Sequence, residues 1–289
     1  MATDIKDVVI IGGGIAGFFT AYFLGKAGIR STVVEQDSVG SHASGFAYGG
    51  LSALGGVGIP GPNWPVAREG MRLHRDLALS LPDETGVNTE YRAKSSLTLA
   101  FTEQEALAAE AVLAWQQRQE GYASRWVDSV EARSIEPRVS EDVLGAIHLV
   151  GNAEVEPYRL MLALAQAVEK LGATVRHGKV TGLKRDGEKA VAVVLESQEI
   201  PCDRVVIAMG PWSGETSAWL GVPIKVTPLK GQILRLHAPG PPIDCSVGWS
   251  GNYATTKLNG QLWAGTTEEE VGFDETPTSE ARDTIMAAL

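Results

Sequence analysis

Cysteine and long apolar runs are scarce in this sequence. Its 289 residues include only two cysteines, Cys202 and Cys245, which excludes a framework of several disulfides and a cysteine-rich metal cluster. No apolar run approaches the ~20 residues that a membrane-spanning helix requires. The start, Met1 to Asp7, lacks the basic and apolar segments of a signal peptide. These absences predict a reduced, cytoplasmic setting, with peripheral association at the inner membrane left open.

Positive charge is also in deficit. The 35 acidic residues outnumber the 25 basic residues, for a formal net charge of −10, and such a surface repels nucleic acid and anionic lipid. Several catalytic motifs are missing as well. The sequence has no CxxC pair of a disulfide reductase, no GxSxG turn of a hydrolase and no histidine spacing typical of a metal site. Neither a metal ion nor a nucleic acid is therefore expected as a partner.

The N-terminus does contain a dinucleotide-binding pattern. A β-branched apolar run, Val8 to Ile11, precedes the GxGxxG glycines of Gly12 to Gly17, and an apolar helix is predicted to follow as far as Ala27. The start of such a helix offers free amide groups and a partial positive charge to a diphosphate. A second predicted strand, Thr32 to Val34, ends at Glu35, whose carboxylate can accept a hydrogen bond from a ribose hydroxyl. This pattern predicts a dinucleotide site, disfavours NADP, and does not choose between FAD and NAD.

Two later features favour FAD. The segment from Gly40 to Gly61 is predicted to be a loop, and its many small residues allow backbone amides to lie against a ribityl chain and a flavin edge. The apolar run that begins at Val205 predicts a buried strand, and the segment as far as Trp212 resembles the later strand of flavoproteins that returns to the dinucleotide. His42 is similar in its loop to the histidine that dimethylglycine-type flavoenzymes use for covalent attachment but is shifted from it, so this resemblance implies an ordinary loop residue and a non-covalent FAD.

Local signals predict further elements. Thr102 and Glu105 are spaced as a capping box at the start of a helix. Val175 to Val180 and Ala190 to Leu195 are predicted to be paired strands, because a turn signal at residues 185–187 lies between them.

Taken in order, these segments resemble the D-amino-acid oxidase superfamily of FAD enzymes. Within it, the sequence is most similar to the glycine oxidase of thiamine biosynthesis, to sarcosine-oxidase-like proteins and to D-amino-acid dehydrogenases. The matching segments are spread through nearly the whole chain in family order. Besides GGGIAG and Glu35, they are SHASGFAYGG, AEVEPYRL from Ala153, VVIAMGPWSG from Val205, TPLKGQILRL from Thr227, and GTTEEEVGFDETPT, which ends at Thr278.

The pattern and the resemblance together imply the site residues. The expected FAD-binding positions are Gly12, Gly14, Ile15, Ala16, Gly17, Glu35, Gln36, Ser41, Ser44, Gly45, Ala47, Gly49, Gly50, Leu51, Val180, Ala208, Gly210 and Trp212. The resemblance places Tyr253 where related enzymes contact the substrate, and Lys230 in the segment beneath the active site. A half-buried strand tyrosine and a solvated strand-edge lysine are the structural alternatives for these two residues.

The resemblance implies an α/β fold with two domains. A Rossmann-like FAD-binding domain with a parallel sheet is expected from residues 1–85 and 151–218. A substrate domain with a mainly antiparallel sheet is expected from residues 86–150 and 219–289.

The implied function is oxidation of glycine, sarcosine or a D-amino acid. Hydride is expected to leave the α-carbon for flavin N5, and water then converts the imino acid into an oxo acid and ammonia or an amine. O2 or a quinone is the expected electron acceptor. Three alternatives stay open: an FAD-dependent 2-hydroxy-acid or polyol phosphate dehydrogenase, a non-catalytic flavin-binding subunit, and an NAD-linked dehydrogenase.

Family members continue beyond the length of this sequence. The part that follows in them supplies an arginine for the substrate carboxylate. The expectation is that the sequence is a fragment, that another chain completes the site, or that catalysis has been lost. A completing subunit and a homo-oligomer are both among the expected assemblies.

Overall fold

A computed structural model of the protein describes residues 7–289, which form two compact units. The first unit comprises the described part of Met1–Ala47 together with Ala78–Thr89 and Pro157–Leu229. The second comprises Tyr48–Leu77, Glu90–Glu156 and Lys230–Leu289. Within residues 7–289, no helix is both long enough and apolar enough to cross a membrane.

The described residues contain seventeen strands. They are β1 (Val8–Ile11), β2 (Ser31–Glu35), β3 (Gly50–Leu51), β4 (Arg92–Ala93), β5 (Ser96–Ala100), β6 (Ala123–Asp128), β7 (Gly145–Val150), β8 (Ala153–Glu154), β9 (Thr174–His177), β10 (Val180–Asp186), β11 (Lys189–Leu195), β12 (Glu199–Pro201), β13 (Arg204–Ile207), β14 (Ile233–Leu236), β15 (Ser246–Trp249), β16 (Asn252–Thr256) and β17 (Leu262–Gly265).

The same residues contain eight α-helices and one 3₁₀ helix, which spans Gly210–Thr216. The α-helices are α1 (Ile15–Lys26), α2 (Ala43–Phe46), α3 (Trp64–Thr85), α4 (Glu103–Gln116), α5 (Ser129–Ile135), α6 (Pro157–Lys170), α7 (Ser217–Leu220) and α8 (Ser279–Ala288).

The first unit is built on a parallel sheet in the order β13-β1-β2-β9. All four residues of β1 are buried, as expected for a central strand of a parallel sheet that is covered on both faces. The helix α1 connects β1 to the parallel strand β2, so the predicted βαβ unit is confirmed. A separate antiparallel sheet, β10-β11-β12, completes the strands of this unit.

The predicted pairing of residues 175–180 with residues 190–195 is wrong for residues 175–177 and is confirmed at Val180, which pairs with Leu195. The strand β9 pairs in parallel with β2, and it is β10 that pairs with β11. The reason is topological, because β9 follows α6 closely and a helical crossover delivers its strand to a parallel sheet. The tight turn that follows β10 joins that strand instead to β11, and Gly187 in this turn has a positive φ of 58°.

The second unit is built on a seven-stranded sheet in the order β14-β17-β16-β15-β5-β7-β6. Every pair in it is antiparallel except β15 with β5. Its core packs Leu97, Val127, Ala146 and Val247 together. A small antiparallel sheet, β3-β8-β4, belongs to the same unit. The α/β class, with one parallel and one mainly antiparallel sheet, is confirmed, whereas the residue bounds of the two predicted domains stay a prediction.

Local predictions had mixed outcomes. The capping box is confirmed, because the Thr102 side chain accepts from the Glu105 amide and the Glu105 side chain accepts from the Thr102 amide. The prediction of an unstructured loop from Gly40 to Gly61 is wrong in part, because α2 and β3 lie within it. Small residues permit these short elements by allowing the backbone to pack closely against itself.

Candidate functional site

The turn between β1 and α1 has no room for side chains at two glycines. Gly12 has a φ of +105°, and a Cβ at this residue would lie 2.3 Å from the carbonyl oxygen of Ala208. A Cβ on Gly17 would lie 1.9 Å from the carbonyl oxygen of Gly12. Backbone packing therefore requires glycine at both positions, and it holds α1 close to β1.

The N-cap residue of α1 supplies no side-chain cap for the amides at the start of the helix. Gly14 is the N-cap residue with an extended backbone, and the first turn of α1, all of it within the described residues, contains no acidic residue. The amide of Gly13 donates to Oε2 of Glu35 at 2.6 Å, and the amide of Ile15 donates to Oγ of Ser44 at 3.0 Å. The partial positive charge of the helix start therefore lacks a capping carboxylate from its own first turn.

Glu35 lies at the end of β2 and beside this turn. In addition to its bond with Gly13, its Oε1 accepts from the amide of Asp37 at 2.8 Å. The backbone oxygen of Glu35 accepts from the amide of Gly178 at 2.8 Å. The structure thus brings the acid predicted for the ribose to the turn predicted for the diphosphate.

The small-residue segment after Glu35 also packs backbone on backbone. A Cβ on Gly45 would lie 2.0 Å from the carbonyl oxygen of Gly40. The predicted positions Ser41, Ser44, Gly45 and Ala47 belong to the first unit. Gly49, Gly50 and Leu51 belong to the second unit, where Gly50 pairs with Glu154 and Leu51 pairs with Ala153.

The later predicted positions in the first unit lie around the same turn. The amide of Ala208 donates to the carbonyl of Ile11 at 2.8 Å, and Gly210 opens the 3₁₀ helix with a φ of +53°. The Trp212 ring meets the ring of His42 edge-on at 4.8 Å, and Nε2 of His42 lies 2.9 Å from Oδ2 of Asp37. Val180 is buried in the core with Val9, Ile11 and Val34.

These features of the first unit fit a dinucleotide. The hydroxyl of Ser41 is buried and has no hydrogen-bond partner among the described residues, as expected of a group that is completed by a ligand. The start of α1, which has no acidic residue in its first turn, suits a diphosphate, and Glu35 suits a ribose. The residues present therefore fit FAD.

In the second unit, Tyr253 forms an aromatic pair with Tyr48. Their ring centroids are 4.0 Å apart with an interplanar angle of 33°, and both rings are half-buried. Burial raises the pKa of Tyr253 far above its ordinary value, so its hydroxyl stays protonated and able to donate. A Cβ on the paired residue Gly265 would lie 3.3 Å from that hydroxyl, so glycine gives the phenol room.

Lys230 has different partners. Its Nζ donates to the carbonyl of Thr276 at 2.6 Å and lies 3.8 Å from a carboxylate oxygen of Glu269. Its backbone exchanges hydrogen bonds with that of Glu269. The two predicted substrate-side residues, Tyr253 and Lys230, are thus engaged by different parts of the second unit.

A cluster of charges that the sequence did not predict lies behind Tyr48, and it is buried except for Arg92, whose side chain is 31% exposed. Arg92, Lys94 and Lys257 surround the carboxylate of Glu154, and we name these four residues the buried cation cluster. The side chains of Lys94, Lys257 and Glu154 are only 3–4% exposed. No local signal marks the cluster, because its members come from separate strands or lie just beyond one.

Each cation of the cluster is also held by neutral oxygens. Nζ of Lys94 donates to Oγ1 of Thr255 at 2.5 Å and to the carbonyl of Thr256 at 2.9 Å. Nζ of Lys257 donates to the carbonyl of Val155 at 2.8 Å. Burial lowers the pKa of Lys94 to about 8 and lowers the pKa of Lys257 as well.

Comparison with known proteins gives a consistent result. A family model described as FAD dependent oxidoreductase matches residues 7–289. The glycine oxidase of Pseudomonas aeruginosa is 31% identical over 294 residues, an alignment that covers 98% of this chain and 77% of that protein. The crystal structure of glycine oxidase from Geobacillus kaustophilus matches with a TM-score of 0.92 at 28% identity. The match covers 98% of this chain and 76% of the glycine oxidase chain. The structure of iminodiacetate oxidase from Chelativorans sp. has a TM-score of 0.86 at 25% identity, with coverages of 97% and 77%.

Proposed function

The chain belongs to the FAD dependent oxidoreductase family, and from that premise we propose that it oxidises a small amino acid at its Cα–N bond. Glycine, sarcosine and D-amino acids are the proposed substrates. The observation that carries this proposal is the alignment with glycine oxidase over 98% of the chain. Family membership confirms the prediction that the chain is an FAD-dependent oxidoreductase. It also selects FAD over NAD, a choice that the glycine pattern alone did not decide.

The first unit is proposed to bind the cofactor. The amides at the start of α1 would face the diphosphate, and Glu35 would accept from a ribose hydroxyl in place of the amide of Gly13. The remaining proposed contacts in this unit are Ala16, Gln36, Ser41, Ser44, Gly45, Ala47, Val180, Ala208, Gly210 and Trp212. Gly49, Gly50 and Leu51, which belong to the second unit, are proposed as further contacts. When bound, FAD supplies a hydride acceptor.

The second unit is proposed to bind the substrate. The protonated phenol of Tyr253 would donate to a substrate oxygen, and Gly265 would keep space for that phenol. No side-chain base is required if the amine arrives neutral. Because the ammonium of Lys230 is engaged by Thr276 and Glu269, we propose that it positions the segment that contains those residues. Water converts the imino acid into an oxo acid and ammonia or an amine, and O2 or a quinone takes the electrons.

The test is anaerobic mixing of the FAD-loaded protein with glycine, sarcosine or D-alanine. We expect at least one of them to bleach the oxidised flavin absorbance. Bleaching only by a 2-hydroxy acid or a polyol phosphate would replace the amine with an alcohol substrate. No bleaching by any of these compounds would leave a flavin-binding protein without this activity. Peroxide formation in air then identifies an oxidase, and turnover only with a dye or a quinone identifies a dehydrogenase.

A matched variant pair assigns the substrate side. Tyr253→Phe keeps the ring pair with Tyr48 and removes the hydroxyl, so we expect a rise in KM with little change in FAD affinity. Tyr158→Phe removes a hydroxyl from an exposed tyrosine of the first unit and should change neither quantity. Equal effects of the two substitutions would remove Tyr253 from the proposed site.

A further inference from the structure

The buried cation cluster has more positive than negative charge. Arg92, Lys94 and Lys257 face one fully buried carboxylate, that of Glu154, and only Arg92 lies within close ion-pair distance, with Nε 2.6 Å from Oε1. The two ammonium groups lie farther away, 3.8 and 3.7 Å from Oε2. Glu156 also attracts Lys257, so Glu154 and Glu156 are the carboxylates that act on the two lysines among the described residues.

Such an excess is costly unless an anion comes near it. Buried charges are normally paired, because an ion that is removed from water loses favourable hydration energy. Hydrogen bonds from neutral groups restore only part of that energy. Here the neutral compensation comes from Thr255, Thr256 and Val155, whose oxygens accept hydrogen bonds from the lysine ammonium groups. Buried groups whose pKa is shifted by desolvation and by charged neighbours are candidates for a functional site.

The cluster lies directly behind the aromatic pair. Nζ of Lys257 is 5.6 Å from the ring centroid of Tyr48, whose other neighbours include Ser246, Thr255 and Glu154. The Tyr48 ring in turn packs against the Tyr253 ring, which is tilted by 33°. The lysines are almost fully buried whereas the two rings are half-buried, so a ligand would touch the rings and experience the cluster through its electric field.

We propose that the buried cation cluster makes the surface formed by Tyr48 and Tyr253 selective for a carboxylate-bearing ligand over a neutral ligand of the same shape. The inference rests on the proposed function, in which Tyr253 faces the substrate. Unlike charges attract more strongly through a low-dielectric interior than through water, which is why buried lysines can act without direct contact. Lys94 and Lys257 are thus specificity-determining residues that act on the substrate at a distance.

The experiment measures binding of acetate and acetamide to the FAD-loaded protein by titration calorimetry and by the change in flavin absorbance. The two ligands match in size and differ in charge. At pH 7 we expect acetate to bind at least tenfold more tightly than acetamide. Lys94→Met and Lys257→Met should each reduce this ratio at least threefold. The same substitution at Lys184, which is 57% exposed and belongs to the first unit, should leave the ratio unchanged.

A variant of opposite sign separates the electric field from packing. Glu154→Gln removes the negative charge of the cluster, and because Glu154 raises the pKa of Lys94 the comparison is made at pH 6, where the lysine is protonated. At that pH the acetate preference should increase, whereas a merely structural role predicts a decrease. If Glu154→Gln does not fold, the wild-type protein still provides a test through pH. Deprotonation of Lys94, which Glu154, Arg92, Lys257 and Cys245 face, should lower the ratio between pH 7 and pH 9.

The outcomes are separable from those of the activity test. Absence of acetate binding, equal binding of the two ligands, or a ratio that neither lysine substitution nor pH changes would overturn the inference. Suppose that an amine bleaches the flavin but acetate and acetamide bind equally. The proposed function would then stand, and this inference would fail. A preference for acetate without any flavin bleaching would contradict the proposed function and leave the charge selectivity of the surface standing.

Discussion

The glycine turn of the first unit and the buried cation cluster of the second use the backbone in opposite ways. Around Gly12 and Gly17 the absence of side chains lets main-chain atoms meet, and the amide dipoles at the start of α1 provide the positive charge. In the buried cation cluster, three full charges on long side chains provide the positive charge. The backbone carbonyls of Thr256 and Val155 accept hydrogen bonds from these cations.

The difference has an energetic consequence. Amide dipoles are already part of the helix, so an anion site made from them adds no desolvated ion to the fold. Ammonium groups at 4% exposure carry a burial penalty that their partners only partly remove. We therefore expect charge changes to have their largest effects on stability in the cluster, and steric changes to matter most in the turn.

Loss of the central carboxylate is the strongest challenge to this comparison. Glu154→Gln leaves three cations without their nearest counter-charge, so the free energy of unfolding should fall by about 3 kcal/mol. The matched variant is Glu199→Gln, which removes a carboxylate whose side chain is 46% exposed and which pairs with Lys184 on the surface. That change should cost less than about 1 kcal/mol. Denaturant unfolding of both proteins measures the difference, and similar losses would refute the energetic distinction.

One added methyl group tests the turn. Gly17→Ala places a Cβ 1.9 Å from the carbonyl oxygen of Gly12, so α1 must move away from β1. We expect a loss of about 2 kcal/mol in unfolding free energy and release of FAD during gel filtration. Gly70→Ala in α3 adds the same group where no atom lies within 4 Å, and it should be neutral or slightly stabilising. Retention of FAD by both variants would show that the turn tolerates movement.

The two regions also differ in how much of them a sequence discloses. The turn is a local pattern: Gly12, Gly17 and Glu35 lie within 24 consecutive residues, and the spacing alone predicts their meeting. The cluster depends on long-range pairing, since Arg92 meets Glu154 across β4 and β8, and Lys94 meets Thr255, 161 positions away. The pairing error at β9 has the same origin, because the choice of a sheet partner is a tertiary decision that local alternation does not encode.

The acid at the end of β2 sharpens the comparison within the first unit. Glu35→Gln keeps the shape of the side chain and removes its negative charge. In the wild type, the carboxylate oxygens accept hydrogen bonds from the amides of Gly13 and Asp37. FAD affinity should fall about tenfold, or ~1.4 kcal/mol, because a charged acceptor is replaced by a neutral one. Asp37→Asn changes a neighbouring exposed carboxylate and should alter affinity less than threefold. Fluorescence titration of FAD into the apoprotein measures both, and equal affinities for wild type and Glu35→Gln would exclude the ribose role.

The smallest expected effect is a pH slope that only the cluster should produce. The pKa of Lys94 is lowered from 10.5 to about 8 in the folded protein. Below pH 8 the lysine is charged in both states, and the full burial penalty acts against folding. Between pH 8 and pH 10.5 the unfolded chain binds more protons than the folded chain, so the free energy of unfolding must rise with pH from this group.

Comparison with a variant isolates this slope from other titrations. Lys94→Met lacks the group, so wild-type stability should gain on the variant by about 1 kcal/mol between pH 8 and pH 9.5. Lys184→Met, at the exposed position, should run parallel to the wild type over the same interval. Urea unfolding at each pH gives the three curves. A wild-type curve that stays parallel to Lys94→Met would mean that Lys94 keeps its proton in the folded protein, and that the carbonyls and hydroxyl around it compensate the charge completely.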